Sequence, residues 1–323
     1  MRVLITGGAG FIGSHLAERL AARGDEIAIV DDFNDFYSPE LKKRNWKQVQ
    51  AIARKKKAPA PKLYRLDICN ARQLAAKLDG VSFDQIVHLA ARAGVRPSIR
   101  QPELYFRTNA MGTLNLLEWA RARGVKKFIL ASSSSVYGLN DKIPFSETDP
   151  ITKTISPYAA SKIAAEQLCS NYSHLYGIEC LCLRFFTVYG PRQRPDLAIH
   201  KFASQIMRGE PIQQYGDGST RRDYTYIDDT VEGVVAAMKY SKPFDIFNLG
   251  ESETVELRYL IAQLEQVLGR KAQIEILPQQ PGDVPVTFAD IAKARSLLGY
   301  SPQTKIQEGL KKFAEWFLAQ PGA

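Results

Sequence analysis

Tyr158 and Lys162 stand four residues apart in SPYAASK, a segment that reads as a helix and so puts both on one face, one turn from each other. A tyrosine with an ordinary pKa of ~10 is a poor base near neutrality. A neighbouring ammonium favours the phenolate, and the pair could then move a proton on and off a hydroxyl. Tyr-x-x-x-Lys alone is common, and an idle surface helix carries it equally well. The context is more specific. The serine run of ASSSSVYG follows the apolar stretch KKFILAS, which reads as a strand. Its hydroxyls would therefore sit at the carboxyl edge of a sheet, where open α/β sheets bind ligands.

A second constellation lies at the start of the chain. Gly7, Gly10 and Gly13 in TGGAGFIG separate a strand, RVLIT, from a helix. The three glycines suit a tight turn, close backbone approach to a pyrophosphate and close helix-on-strand packing. Phosphates would lie at the helix N-terminus, beside Phe11 and Ile12. Asp31 ends the next strand, EIAIV, where it would accept hydrogen bonds from adenosine ribose hydroxyls. Asp32 follows it and no Arg or Lys adjoins in sequence, so a 2′-phosphate would be repelled. NAD is favoured over NADP.

The elements that must hold these groups follow from periodicity. RVLIT, EIAIV, KLYRLDI, FDQIVHLA and KKFILAS read as strands. Between them FIGSHLAERLAARG, NARQLAAKLDG and TLNLLEWARARG carry apolar residues at the helical spacing. The alternation predicts an α/β fold, a Rossmann-type doubly wound parallel sheet. After about Leu183 proline and glycine become frequent and short strands mix with helices over 228–240 and 256–268. A chain of 323 residues exceeds one ordinary core. We therefore expect an NAD-binding domain over 1–183, to which the chain returns around 225–250, and a smaller α/β lobe over 184–323.

Charge and composition exclude several classes. The net charge of +9 could point to nucleic acid or an anionic membrane, but the excess is concentrated in Lys42, Lys43, Arg44, Lys47, Arg54, Lys55, Lys56 and Lys57, with no acid among them. This segment reads as a solvated helical insertion with Leu41, Trp46, Val49 and Ile52 toward one side, ended by Pro59 and Pro61. An acidic partner or lipid headgroup is the sharper alternative. Without aromatic platforms or a nucleic-acid motif, no nucleic-acid partner is expected. No stretch approaches the ~18–20 apolar residues of a membrane span. MRVLITGGAGFIGSH lacks a basic leader region, so a cytoplasmic protein is expected. Four cysteines make no disulfide framework. Cys180 and Cys182 would share one strand face as core residues, and the four histidines are scattered, so no metal site is expected.

TGGAGFIG, LDI, HLAA, the serines before VYG, SPYAASK, GDGSTRRDYTYIDD and PGDVPVTFAD together resemble the extended short-chain dehydrogenase/reductase family. The likeness spans nearly the whole chain and is strongest to the NAD-dependent nucleotide-sugar epimerases and dehydratases. It implies Tyr158 as base, Lys162 as its partner on the nicotinamide ribose, and Ser133 as the hydroxyl that binds the sugar's O4. It also implies Asp67 and Ile68 at the adenine, Leu89, Ala90 and Ala91 along the cofactor channel, and Asn109 beside the catalytic Tyr and Ser. Arg222 and Asp283 would hold the phosphate and ribose of UDP, which makes the lobe over 184–323 mainly UDP-sugar-binding. A homodimer joining the helices near 102–123 and 157–176 is implied as well.

Within that family the chemistry diverges after a shared opening step that makes a 4-keto sugar. Similar 4,6-dehydratases carry an Asp-Glu pair where this chain has Ser134 and Ser135, and related UDP-glucuronate decarboxylases carry a Glu where Ser135 stands. Epimerisation remains. Thr187 in FTVYGPRQRPD, the segment DDFNDFYSPELKKRN and the loop AARAGVRPS resemble UDP-glucuronate 4-epimerases, which yield UDP-galacturonate. A 4-keto uronate is a β-keto acid that loses CO2 unless its carboxylate is held, and Ser134, Ser135 and Thr187, with Arg194 or Arg96, offer donors for it. Gln280 stands where galactose epimerases carry an Arg for UDP, so Arg222, Arg192 or Arg194 would have to serve. A UDP-glucose/UDP-galactose 4-epimerase is the alternative, and a non-catalytic NAD-sensing protein the remote one.

Overall fold

The computed structural model describes residues 1–278 and 284–320. Twelve strands are described: β1 (Arg2–Thr6), β2 (Glu26–Asp31), β3 (Lys62–Arg65), β4 (Gln85–His88), β5 (Lys127–Ser133), β6 (Glu179–Phe185), β7 (Thr187–Tyr189), β8 (Ile212–Tyr215), β9 (Arg221–Tyr226), β10 (Phe244–Leu249), β11 (Thr254–Glu256) and β12 (Ile274–Leu277). Seven of them form one sheet in the order β10-β6-β5-β4-β1-β2-β3, every pair parallel. The expected doubly wound architecture is thus present. Small sheets β11-β9-β7 and β12-β8 lie outside it.

Burial explains why the strands read as continuous apolar runs. Along β1, Val3 and Ile5 enter one core and Leu4 the other; along β5, Ile129 and Ala131 oppose Phe128 and Leu130. Both faces are covered, as parallel sheets require. Cys180 and Cys182 point into the same core as free thiols. The helix α1 (Phe11–Ala22) buries Phe11, Leu16, Ala17, Leu20 and Ala21, the stripe that its three- and four-residue spacing predicts.

Two departures from expectation matter for the site. First, β3 stops at Arg65, short of the expected KLYRLDI. The Asp67 carboxylate accepts from the Cys69 amide at 2.9 Å and its carbonyl from the Asn70 amide at 3.0 Å, a local turn that competes with the ladder. Second, the basic segment is not merely solvated. It forms α2 (Pro39–Lys55), which buries Lys42, Asn45, Val49 and Ala53. Asn45 donates to the Ala9 carbonyl at 3.0 Å, which ties the helix to the glycine turn. Lys43, Arg44, Lys47, Arg54 and Lys55 stay exposed. Periodicity found the apolar stripe but could not foresee polar residues anchoring the same helix.

The helix α3 (Ala71–Lys77) follows β3; α4 (Val95–Arg100), α5 (Pro102–Phe106), a π-helical turn at Arg107–Met111 and α6 (Gly112–Ala122) lead to β5, and a 3-10 turn at Ser134–Tyr137 ends that strand. Next comes α7 (Pro157–Tyr176), whose first turn is capped by Ser156 accepting from the Ala159 amide at 3.2 Å. It carries Tyr158, Lys162 and Glu166 on one face. Glu166 is buried and receives Arg184 through two hydrogen bonds of 3.0 and 2.8 Å and the Ser132 hydroxyl. Ser132 and Arg184 are register partners on β5 and β6. One carboxylate thus joins α7 to both strands beside Ser133.

Removing one partner of a buried pair leaves the other uncompensated. Glu166→Leu is expected to lower unfolding free energy by roughly 3–5 kcal/mol, and Glu166→Leu with Arg184→Leu to recover most of it. Chemical denaturation of the three proteins checks this; equal losses in single and double variants would contradict it.

Candidate active site

At the carboxyl edge of the sheet lies a cleft of about 380 Å3, built from the ends of β1, β2, β4, β5 and β6 and the start of α7. Its floor is the glycine turn. Gly7 has φ +68, and a Cβ there would come within 2.8 Å of the Ala90 amide nitrogen. At Gly13 a Cβ would stand 2.2 Å from the Gly7 carbonyl oxygen, so only glycine lets α1 start this close to β1. No side chain caps α1 and no acid occupies its first turn, which leaves its amides available to an anion. Phe11 and Ile12 line the cleft there.

Asp31 is buried. Its carboxylate accepts from the amides of Ala9 at 3.1 Å and Phe33 at 2.9 Å, and burial pushes its pKa up against these bonds. Asp32 accepts from the Asn34 amide at 3.0 Å and lines the cleft. The expectation that no cation adjoins the two acids is corrected in space. Lys42 lines the same cleft, donates to the Asn34 carbonyl at 2.8 Å, and sits 4.8 Å from the Tyr37 ring centroid. Burial lowers its pKa and the charges of Asp31 and Asp32 oppose that shift, so this cation is matched by carboxylates. Sequence distance hid it, because ten residues that include a loop separate Lys42 from Asp31. Asp67, Ile68, Leu89, Ala90 and Ala91 complete this side.

Across the cleft are Ser133, Ser134, Ser135, Tyr158, Lys162, Thr187 and Arg194. The Ser133 hydroxyl accepts from the Ser135 amide at 3.1 Å. The Tyr158 ring packs edge-on against Tyr105, 6.1 Å between centroids. Burial raises the Tyr158 pKa, while a hydrogen bond with Ser133 and the charge of Arg194 pull it down. Lys162 donates to the Ala131 carbonyl at 2.8 Å, and burial lowers its pKa to about 8 against the raising effect of Glu166. The simple expectation, a phenol lowered by its lysine neighbour, is therefore modified: burial dominates, and the lysine is directed at β5. Arg194 is clamped by Asp196 through bonds of 3.0 and 2.6 Å, with its guanidinium 5.1 Å from the Phe36 ring centroid.

Three expected site residues among those described do not line the cleft. Asn109, on the π-helical turn, bonds the Arg92 amide and carbonyl at 2.8 and 2.9 Å and the Ser161 hydroxyl at 2.9 Å; its amide fastens the loop after β4 behind the cleft wall. Arg96 lies 4.4 Å from the Tyr215 ring centroid, outside the cleft lining. Arg222 donates to the carbonyls of Arg221 and Pro285 at 2.9 and 3.3 Å, also outside it. Asp283, like Gln280, lies outside the described residues. Arg192, offered as a substitute for Gln280, instead forms an ion pair with Glu18 at 2.6 Å. In the other direction, Asn34, Phe36, Tyr37 and Lys42 line the cleft without having been singled out for it. Aromatic residues directly after the acid at the end of β2 were the available signal.

The cleft fits a dinucleotide. It combines a glycine-floored helix N-terminus with an acid ending the second strand, and the buried hydroxyl of Tyr37 beside them has no hydrogen-bond partner. Among the described residues no cluster of three His, Cys, Asp or Glu could hold a metal, and no helix is long and apolar enough to cross a membrane.

The family model for GDP-mannose 4,6 dehydratase matches residues 4–313. The chain belongs to this family of extended short-chain dehydrogenase/reductases. A UDP-glucuronate 4-epimerase of Thermodesulfobacterium geofontis is 42% identical over 97% of this chain and 95% of its own length. UDP-glucuronate 4-epimerase 1 of Arabidopsis thaliana is 41% identical over 99% of this chain and 77% of its own. The structure of UDP-glucuronic acid 4-epimerase from Bacillus cereus, in complex with UDP-glucuronic acid and NAD, is 35% identical, with a TM-score of 0.89 over 98% of this chain and 99% of that one. A UDP-glucose 4-epimerase from Thermotoga maritima with UDP-glucose is 33% identical with a TM-score of 0.88, covering 98% of this chain and 99% of that one. In a family named for dehydration, hydroxyls at Ser134 and Ser135 leave the cleft without an acid–base pair at those positions.

Gly13→Ala is expected to force the glycine turn apart, lowering the melting temperature by several degrees for about 1–3 kcal/mol of overpacking and abolishing dinucleotide binding. Thermal unfolding with and without added NAD checks both; a variant that NAD still stabilises fully would contradict it.

Proposed function

We propose that the protein is an NAD-dependent UDP-glucuronate 4-epimerase, converting UDP-glucuronate to UDP-galacturonate. The observation that carries the reading is the set of neutral hydroxyls, Ser134, Ser135 and Thr187, lining one cleft with the half-buried Arg194 and the Ser133–Tyr158–Lys162 trio. Relatives and solved structures of that activity support it.

In this reading Tyr158 takes the proton from the sugar's O4, which Ser133 holds by a hydrogen bond, and gives it back after the ring has turned over. NAD, when bound, supplies the hydride acceptor and donor at C4, and its positive nicotinamide adds to the field that favours the phenolate. Lys162, held by Ala131, keeps a positive charge near the nicotinamide ribose. Phe11, Ile12 and the glycines bind the cofactor diphosphate, Asp31 and Lys42 the adenosine ribose, Asp67 and Ile68 the adenine. Ser134, Ser135, Thr187 and Arg194 hold the uronate carboxylate so that the 4-keto sugar does not lose CO2. Hydroxyls can re-form such bonds in both ring orientations, and Arg194 adds the charge.

The organisation of the assembly belongs to the same proposal. The cofactor is assigned mainly to residues 1–183 and the UDP-sugar mainly to 184–323. A homodimer is supported by exposed apolar residues on α5 to α7, among them Phe106, Met111, Leu175 and Tyr176. A cytoplasmic location suits its free thiols.

Incubation with UDP-glucuronate and separation of products is expected to show UDP-galacturonate; sole turnover of UDP-glucose, or CO2 with a UDP-pentose, would overturn the assignment. Tyr158→Phe is expected to lower turnover at least a hundred-fold while NAD stays bound; near-normal activity would remove Tyr158 from its role. Arg194→Met is expected to raise KM for UDP-glucuronate about ten- to a hundred-fold and to release CO2, as followed by steady-state kinetics and product analysis; unchanged KM and no CO2 would take the carboxylate away from Arg194.

A further inference from the structure

The loop between β2 and α2 places two aromatic rings at the junction of the candidate cofactor and substrate positions. Tyr37 Oη is buried and has no hydrogen-bond partner. It lies 3.6 Å from the point where a Cβ on Gly10 would stand, so it borders the glycine surface that a diphosphate approaches. Lys42 sits 4.8 Å from the centroid of its ring and Asn45, one turn along α2, anchors that helix to Ala9. The ring is thus held from the side of the glycine turn. Its neighbour Phe36 lies close to two cations, with Arg92 at 5.5 Å and Arg194 at 5.1 Å from the ring centroid.

A buried hydroxyl without a partner is costly, and this one faces the cleft at the N-terminus of α1. The nearby Asp31 carboxylate accepts from two backbone amides and makes no hydrogen bond with this hydroxyl. Burial and the negative charge of Asp31 raise the Tyr37 pKa, which keeps the phenol protonated and therefore a donor. An acceptor rich in lone pairs is what this position lacks, and the diphosphate of a dinucleotide provides one.

We propose that Phe36 and Tyr37 form a two-sided clamp: the Tyr37 hydroxyl donates a hydrogen bond to the diphosphate of the bound dinucleotide, and the Phe36 ring holds Arg194 in its substrate-facing position. This rests on the NAD-dependent reading above and deepens it. Cofactor retention and substrate recognition then share one loop. An epimerase that returns hydride from the cofactor that took it gains from such retention.

The test uses the full chain stripped of nucleotide, with NAD alone as the first probe. Tyr37→Phe removes only an atom that has no partner in the fold, so its melting temperature without NAD is expected to equal or exceed that of the wild type. Its dissociation constant for NAD is expected to rise roughly ten- to a hundred-fold, as for a lost hydrogen bond to a charged group, with a correspondingly smaller stabilisation by NAD. Phe36→Ala is expected to keep wild-type NAD affinity and to raise KM for UDP-glucuronate. Equal NAD affinity in Tyr37→Phe and wild type would overturn the diphosphate contact. An NAD affinity as weak in Phe36→Ala as in Tyr37→Phe would overturn the division of roles. A wild-type protein that binds no NAD at all would overturn the underlying reading as well, and is distinguished from the other two outcomes by the wild-type titration itself.

Discussion

Ser133 and Tyr158 come from different elements, and the chemistry assigned to them depends on keeping them in hydrogen-bond contact. Glu166, with Lys162 bonded to the Ala131 carbonyl of β5, ties the two elements together. It follows Lys162 by one turn of α7, receives Arg184 of β6 through two bonds, and receives the Ser132 hydroxyl of β5. Helix and strands could otherwise slide by a fraction of an ångström, enough to lengthen a working hydrogen bond. The arrangement is costly to break from one side, since either charge alone would be stranded in the core. The same carboxylate also raises the Lys162 pKa against the effect of burial, so the structural fastening has an electrostatic consequence one turn away.

The distribution of charge in the cleft follows a consistent logic. Acids lie on the side assigned to the cofactor, where Asp31 and Asp32 are balanced by Lys42. The sugar side carries hydroxyls and one arginine, itself held by Asp196. Elimination across C5 and C6 would need an acid–base pair beside Ser133, and neutral serines at 134 and 135 do not supply one. Holding the carboxylate of a β-keto acid needs donors that do not themselves trade protons, and hydroxyls with a guanidinium meet that need. The net charge that first suggested a polyanion has a different meaning once α2 is in place. One of its lysines enters the cofactor cleft, one polar residue anchors the glycine turn, and only the outer face remains a solvated basic surface.

Much of the fold was legible because its signals are local. Apolar runs of four to six residues marked β1, β2, β4 and β5, and Gly7, Gly10 and Gly13 marked a turn whose close contacts forbid a Cβ. Tyr158 and Lys162 were legible because helical spacing alone brings them together. What escaped depends on the path of the chain through space. Arg96, expected in the loop after β4, stands by the Tyr215 ring of β8, while Arg92 of the same loop lines the cleft. Asn109 stands on a π-helical turn that no spacing rule reveals, and there it supports the loop instead of facing the ligand. Lys42 lay in a segment read for its charge and Tyr37 in one read for its resemblance, where a partnerless hydroxyl cannot be recognised without its surroundings.

The central claim is that hydride leaves C4 and returns to the same carbon inside one closed cleft, with the carboxylate held throughout. Turnover of UDP-glucuronate deuterated at C4, followed by NMR or mass analysis of the product, tests this directly. The account predicts UDP-galacturonate with deuterium retained at C4 in ordinary water. Loss of the label to solvent, or its appearance in free NADH, would contradict it.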